Sequence, residues 1–208
     1  ELEKAIKEGK HDNLKISHVS KKELETNLPD GCVHQGIALK TKLIEKTSLE
    51  DIINKTRGSP KELIVIIDQA TDPHNIGSIL RSASAFGAAA VVIQDRNAPG
   101  VTGTLAKAAS GALERIPLIF SKNLARVLDK LKVAEYWCIG LDVLASQTLS
   151  NTNLDGRIAL VLGAEGTGLR RLTREKCDLL VKIPINDNVE SLNLSIATAI
   201  ALYELTRN

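Results

Sequence analysis

From residue 63 onward the chain repeats one pattern: a short, mostly β-branched apolar run, a polar turn, then a stretch with apolar residues three and four apart. The runs cover 63–67 (LIVII), 89–93 (AAVVI), 116–120, 137–141, 158–162 and 179–185. Runs that are apolar throughout, rather than alternating, predict strands buried on both faces. Helical segments lie between most of them, over 76–86, 101–113, 124–132 and 169–177, and a last one covers 192–206. Strand–helix alternation predicts a parallel sheet covered by helices. Residues 63–208 therefore read as one α/β domain with no internal repeat.

The front of the chain is different. The first 45 residues are lysine-rich and polar, with a short alternating stretch over 32–39. Residues 45–62 carry one weak amphipathic helix, with Ser48 as candidate N-cap, and run into Arg57-Gly58-Ser59-Pro60, a helix breaker. We read 45–62 as a linker and 1–44 as the tail of a small accessory domain, too short for a core of its own. The chain opens on Glu1 and contains no methionine, so its natural start is expected upstream. No basic-plus-apolar leader opens it, and no apolar run approaches the ~20 residues needed to span a bilayer.

Composition narrows the partners. Hydrophobic residues at 43% and charged residues at 25% exclude a disordered chain, and 208 residues can bury a full core without metal or disulfide. Twenty-seven basic against 25 acidic residues, a net charge of +2, permit a polyanionic partner without demanding one. Cys32, Cys138 and Cys177 are odd in number and form no Cys-x-x-Cys, which suits reduced, packing cysteines in the cytoplasm. His11, His18, His34 and His74 show no metal-ligand spacing, so no metal site is expected. With only Phe86, Phe120, Tyr136, Trp137 and Tyr203 as aromatics, rows of base-stacking rings are excluded.

Ligands of open parallel sheets bind beyond the carboxyl ends of the strands, and three strand-end loops stand out. The first, from Asp68 to Gly77, leads through Pro73 into a helix for which Asn75 is the candidate cap. Ile76, Ile79, Leu80 and Ala83 make its core face, with Arg81 on the side shared with Ser78. A cap plus a solvated arginine explains this pair; so does an arginine reaching a ligand at the strand-end loop. The second loop, Gly163-Ala164-Glu165-Gly166-Thr167-Gly168, is neither a dinucleotide fingerprint nor a P-loop, but its glycines permit close backbone approach. Glu165 could steady a helix dipole there or bind a cation or polar group. The third loop, Pro184 to Ser195, places Ser191 as a candidate cap, and Asn193 and Ser195 in the first turn of a helix. Ile196, Ala199, Ile200 and Tyr203 form that helix's expected core stripe. No Ser–His–Asp set, Cys–His pair or paired-carboxylate pocket is visible, and His74 beside Pro73 reads as loop filler.

Taken together the three loops resemble the motifs of the SpoU-type 2′-O-ribose methyltransferases of the SPOUT superfamily. The matching residues are Asp72-Pro73-His74-Asn75-Ile76-Gly77 with Leu80-Arg81-Ser82-Ala83, Leu162-Gly163-Ala164-Glu165-Gly166 with Gly168-Leu169-Arg170-Arg171-Leu172, and Ile183-Pro184-Ile185 with Ser191-Leu192-Asn193-Leu194-Ser195. His34-Gln35-Gly36-Ile37 resembles the junction after the substrate-binding domain in the branch that methylates a guanosine ribose of bacterial large-subunit rRNA. The resemblance implies a parallel sheet closed by a deep C-terminal trefoil knot, a remnant of an L30e-like RNA-binding domain over 1–44, S-adenosylmethionine as cofactor, RNA as substrate and a cytoplasmic homodimer. It implies Gly163, Ile183 and Leu192 as cofactor contacts, with Leu141, Ala164 and Ile185 lining the pocket. Asn75, Arg81, Glu165, Ser191 and Asn193 are the implied catalytic set, and His34 and Gln35 lie on the substrate side.

The implied chemistry suits the residues. In-line methyl transfer to an oxygen needs no covalent enzyme intermediate, in keeping with the missing nucleophile motif. A guanidinium stays protonated at neutral pH and is a poor base. Arg81 is therefore expected to stay charged, gripping the adjacent phosphate and stabilising developing alkoxide, with Glu165 and Asn75 orienting it and Ser191 and Asn193 positioning ribose and cofactor. Arg170, Arg171, Arg174 and Lys176 form a basic stretch that is either a solvated helix face or a phosphate contact, Arg170 and Arg171 being the substrate-binding candidates. A tRNA substrate, or a non-catalytic RNA-binding module on the same fold, are the alternatives. A Rossmann-type nucleotide-binding protein is disfavoured, because Gln69-Ala70-Thr71-Asp72-Pro73 stands where its glycine-rich turn belongs.

Overall fold

Seven strands form a single sheet in the computed structural model, in the order β3-β2-β1-β6-β4-β7-β5. They are β1 (Glu62–Ile67), β2 (Ala90–Gln94), β3 (Leu118–Ser121), β4 (Trp137–Leu141), β5 (Gln147–Thr148), β6 (Arg157–Leu162) and β7 (Leu179–Lys182). Every pairing is parallel. The structure describes residues 4, 15–29, 31–42, 44–152 and 154–207; His11 lies outside them. The chain divides into two compact units, Glu1–Leu43 and Ile44–Asn208.

In the first unit helix α1 (Lys21–Thr26) starts at Ser20, whose side chain accepts from the Glu23 N–H. The alternation over 32–39 does not become a strand. Gln35 (φ 51°) and Gly36 (φ 82°) turn the backbone in the middle of it, and the Ile37 N–H returns to the His34 carbonyl at 3.0 Å. Two successive left-handed residues make a turn that an extended strand cannot contain.

In the second unit successive residues of each strand face opposite cores, as the pleat requires. Leu63, Val65 and Ile67 of β1 look to one side, against α3 (Pro73–Ala85), α4 (Gly103–Ala109) and α7 (Leu194–Thr206). Ile64 and Ile66 look to the other, against α2 (Leu49–Lys55) and α5 (Leu124–Val133); a short α6 (Arg171–Lys176) follows β6. Burial on both faces is why these strands read as unbroken apolar runs. Helix α2 is capped at Ser48 as expected, with a complete capping box to Asp51. It is no free linker: Leu49 and Ile52 are buried among Leu128 and Leu131 of α5. Two thiols sit in the same layer, and burial pushes Cys138 and Cys177 up to about 12.

Three expectations needed correction. Helix α3 is capped by Asp72, whose carboxylate accepts from the His74 N–H at 2.9 Å, and not by Asn75. Pro73 occupies N1, where its missing N–H is no loss, so the cap falls one residue before it. Helix α7 is capped by Asn193, not Ser191. Its buried residues are Leu194, Thr198, Ala201 and Leu202, whereas Ile196, Ile200 and Tyr203 are 52%, 40% and 56% exposed. This helix is apolar on every side, so periodicity could not tell which stripe faces the core. The sequence also missed β5, two polar residues pairing with the outer edge of β7.

Gly77 lets α4 cross α3 at close range. A Cβ there would lie 2.5 Å from Ala108 Cβ and 2.9 Å from the Ala109 nitrogen. Gly77→Ala is therefore expected to destabilise by about 1–3 kcal/mol through overpacking, outweighing alanine's helix preference of ~1 kcal/mol. Gly103→Ala, where a Cβ meets open space, should lose nothing comparable; urea denaturation of the two variants separates the cases.

Candidate active site

The order of the strands reverses beside β1: the chain builds β1, β2 and β3 outward, then returns to place β4, and β6 later fills the gap between β1 and β4. Such a switch point leaves a crevice at the carboxyl ends of the strands. A cavity of about 280 Å³ opens there, walled by the ends of β4 (Leu141) and β6 (Leu162), by Lys182 at the end of β7, and by the loops that follow them.

All six residues singled out for the cofactor line this one cavity: Leu141, Gly163, Ala164, Ile183, Ile185 and Leu192. Leu141, Ile183, Ile185 and Leu192 supply half-buried apolar walls. The glycine-rich loop supplies backbone. It folds on itself as a tight hairpin, with the Ala164 N–H donating to the Gly168 carbonyl at 3.1 Å and the Gly168 N–H to the Ala164 carbonyl at 2.9 Å. Gly163 is packed directly against the backbone of Gly168 and Leu169, leaving no room for a Cβ. Gly166 (φ 76°) and Gly168 (φ 67°) take the left-handed turns of the hairpin. Val143 and Leu144, which the sequence did not mark, add an exposed apolar rim. Their loop is set by Asp142, which accepts from the Leu144 N–H and pairs with Arg174 Nε at 3.0 Å.

The polar candidates divide. Asn193 joins three loops at one point: its Nδ2 donates to Asn75 Oδ1 at 3.0 Å and to Glu165 Oε1 at 2.6 Å, while its Oδ1 caps α7 through the Ser195 and Ile196 N–H groups. Ser195 Oγ donates to the same oxygen at 2.6 Å. Glu165 Oε1 also accepts from the Leu194 N–H at 2.8 Å, so its carboxylate sits on the positive end of α7, the stabilising position for an anion. Of its two sequence readings, the helix-dipole one describes what the carboxylate does here. Among the described residues, Asn75 Nδ2 and Glu165 Oε2 have no hydrogen-bond partner, which leaves one donor and one acceptor to meet a ligand. Ser191 is exposed and lines the cavity beside Leu192 without entering this network.

Arg81 is exposed and makes no hydrogen bond or ion pair among the described residues, so Asn75 and Glu165 do not orient it as the sequence suggested; both are engaged by Asn193 instead. It lies six residues beyond Asn75, about 9 Å along the helix, and helical side chains lean toward the N-terminus, here the Asn75 end. The basic stretch behaves otherwise. Arg171 pairs with Glu175, Arg174 with Asp142 and Lys176 with Asp129. Arg170 is bound to Asp68, a carboxylate with no exposed surface. His34 and Gln35 belong to the first unit, where His34 Nδ1 accepts from the Gly36 N–H at 3.0 Å. Among the described residues no group of three His, Cys, Asp or Glu side chains could hold a metal ion, and no helix is long and apolar enough to cross a membrane.

The arrangement has known counterparts. The chain is 42% identical over 194 residues to the 23S rRNA (guanosine-2′-O-)-methyltransferase RlmB of Photobacterium profundum, covering 93% of this chain and 79% of that one. It is 43% identical over 178 residues to RlmB of Escherichia coli K12, covering 86% and 73%. Its fold superposes on the SpoU methyltransferase AviRb from Streptomyces viridochromogenes in complex with AdoMet with a TM-score of 0.71 and 26% identity. That match takes in 79% of this chain and 65% of the length of AviRb. The SpoU rRNA Methylase family profile matches residues 62–203, the whole stretch that builds the sheet, the cavity and the Asn193 junction; the chain belongs to the SpoU rRNA Methylase family.

Proposed function

We propose that this protein transfers the methyl group of S-adenosylmethionine to a ribose 2′-hydroxyl of RNA, with a guanosine of bacterial 23S rRNA as the target. The observation that carries the reading is convergence: six candidate cofactor residues wall one cavity, and three of the five catalytic candidates meet at Asn193 beside it. The target follows the activity in the names of the RlmB relatives. RNA binding in the cytoplasm, with residues 1–44 as the end of an L30e-like substrate domain, belongs to the same reading.

The cavity suits the cofactor. Apolar walls and the main chain of a glycine hairpin can hold a flat base without side-chain charges, and Glu190 at the cavity offers a carboxylate to a cationic ligand. S-adenosylmethionine would supply an electrophilic methyl group on a sulfonium centre, its sulfur leaving as a neutral thioether while the 2′-hydroxyl proton passes to solvent. The protein has to orient the ribose and stabilise charge on its 2′-oxygen. Asn75 and Glu165 present their unused donor and acceptor to that ribose, held at fixed spacing by Asn193. Arg81, a guanidinium without a partner among the described residues, grips the neighbouring phosphate and stabilises the developing alkoxide. Ser191 lies where cofactor and substrate meet.

Two further features belong to this proposal. The C-terminal segment is read as threading a deep trefoil knot; support comes from the late insertion of β6 between β1 and β4 and from the return of the chain after β7 to set Asn193 between Asn75 and Glu165. A homodimer is read from the apolar stripe Ile196, Ile200 and Tyr203 left open on α7, a face that a second copy would cover.

Mapping 2′-O-methylation across total RNA from cells lacking the protein tests the reaction: one methyl group should disappear from large-subunit rRNA. Loss from tRNA instead would reassign the substrate, and no loss anywhere would refute the reading. Arg81→Ala should lower turnover by ~100-fold or more, the scale of losing one charge-stabilising donor, and leave S-adenosylmethionine affinity nearly unchanged by calorimetry. Gly163→Ala should do the opposite first, weakening cofactor binding by about 100-fold because the hairpin must move to admit a Cβ. Ile200→Asp should convert a dimer to a monomer in light scattering.

A further inference from the structure

We propose that Asp68 is a positioning residue for the glycine-rich loop, acting through Arg170 to hold the wall of the cavity in its ligand-binding shape. The proposal rests on the reading that this cavity binds S-adenosylmethionine. Asp68 directly follows β1 and is fully buried. A buried carboxylate is costly unless every lone pair finds a donor, and here they do. Oδ1 accepts from Arg170 Nε at 2.7 Å, with the Arg170 NH2 group at 2.6 Å; Oδ2 accepts from Thr173 Oγ1 at 2.8 Å and from the Arg170 N–H at 3.3 Å.

The loop's other end is held by the same residue. The Asp68 N–H donates to the carbonyl of Leu162 at 2.8 Å, the last residue before the hairpin. Residues 163–169 thus leave the main chain of Asp68 and return to its carboxylate. The intervening hairpin is rigid, because Gly163 abuts Gly168 and Leu169, and Leu169 is buried in the layer of α2 and α5. A displacement at Arg170 therefore cannot be absorbed within the loop and reaches Gly163 and Ala164 in the cavity wall. The same Nη2 that lies against Asp68 also donates to Gln94 Oε1 at 2.8 Å, and Gln94 Nε2 donates to the Lys122 carbonyl at 3.1 Å. Gln94 is itself buried. An arginine so committed serves the cofactor loop and is not an RNA phosphate contact, although its side chain is 41% exposed.

The test is calorimetric titration of the whole chain with S-adenosylmethionine, well below the melting temperature, beside RNA affinity measured across salt concentrations. Asp68→Asn, Arg170→Gln and the double variant form a cycle, and Arg170→Lys is the conservative control. Each single variant should weaken cofactor binding about 10- to 100-fold, the effect of ångström-scale misplacement. The double variant should be no worse than the weaker single one, because both break the same link. Arg170→Lys should recover part of the loss, and RNA affinity and its salt slope should stay within about twofold. Should Asp68→Asn not fold, Arg170→Gln carries the comparison, since its side chain reaches the surface. Cofactor affinity unchanged in the single variants, with only the melting temperature lowered, would overturn the proposal. So would Arg170→Gln weakening RNA binding and its salt slope while sparing the cofactor. A wild-type protein that binds no S-adenosylmethionine would overturn the functional reading itself, and this proposal with it.

Discussion

At Gly163 the chain comes so close to Gly168 and Leu169 that no side chain fits between them. That contact turns the segment after β6 from a wandering loop into a hairpin one residue-width thick, closed by two hydrogen bonds between Ala164 and Gly168. Much of the site follows from it. Glu165 is carried to the tip, where its carboxylate meets the first N–H of α7. Leu169 is carried down into the core, and Arg170 emerges beside β1. A bulkier residue at 163 would shift all three at once, so the cavity depends on the absence of atoms at one position.

The hairpin alone does not make a site, because its tip and its exit would remain free to move. Two polar junctions restrain them, and they differ in burial. At the tip, Asn193 bridges Asn75 and Glu165 at the margin of the cavity, where hydrogen-bonding groups can be shared with a ligand. At the exit, Asp68 is sealed from water and all its acceptor capacity is used within the protein. A buried charge with every partner in place resists displacement, since breaking any one contact strands the rest in a medium that solvates them poorly. The junction at the tip therefore keeps hydrogen-bonding atoms unused, whereas the one at the exit keeps none.

The order of strands and helices was legible in the sequence because a parallel sheet buries both faces, so that LIVII over 63–67 and IALVL over 158–162 could be little else. What periodicity could not settle was orientation. Ile196, Ile200 and Tyr203 repeat at helical spacing, but so do Leu194, Thr198 and Ala201, and only packing against α3 decides between them. The cap of α3 was misplaced because Asp72 and Asn75 are both good caps, and the choice turned on Pro73 occupying the first helical position. The cavity-lining residues were reached through strand-end loops and the family resemblance. Asp68 appeared in the first of those loops with no role, because its partners Arg170 and Thr173 lie 102 and 105 residues further along the chain. β5 left no trace at all, being two polar residues whose strand character comes entirely from the neighbouring edge.

Pairing, more than residue type, sorts the arginines around the site. Arg170 is bonded to a buried carboxylate, which also takes the Thr173 hydroxyl, and to a buried glutamine. Arg174 is tied to a carboxylate that is 10% exposed. Arg171 meets only Glu175 across one exposed helical turn, a pair worth little against solvent. Arg81 meets no partner among the described residues, although it projects from the helix that also carries Asn75. A compensated guanidinium has little field left to offer, whereas one without a partner keeps its field for whatever negative charge approaches it. On the proposed reading, charge that develops on the ribose oxygen falls to Arg81, while Arg170 and Arg174 stay committed to the carboxylates of Asp68 and Asp142.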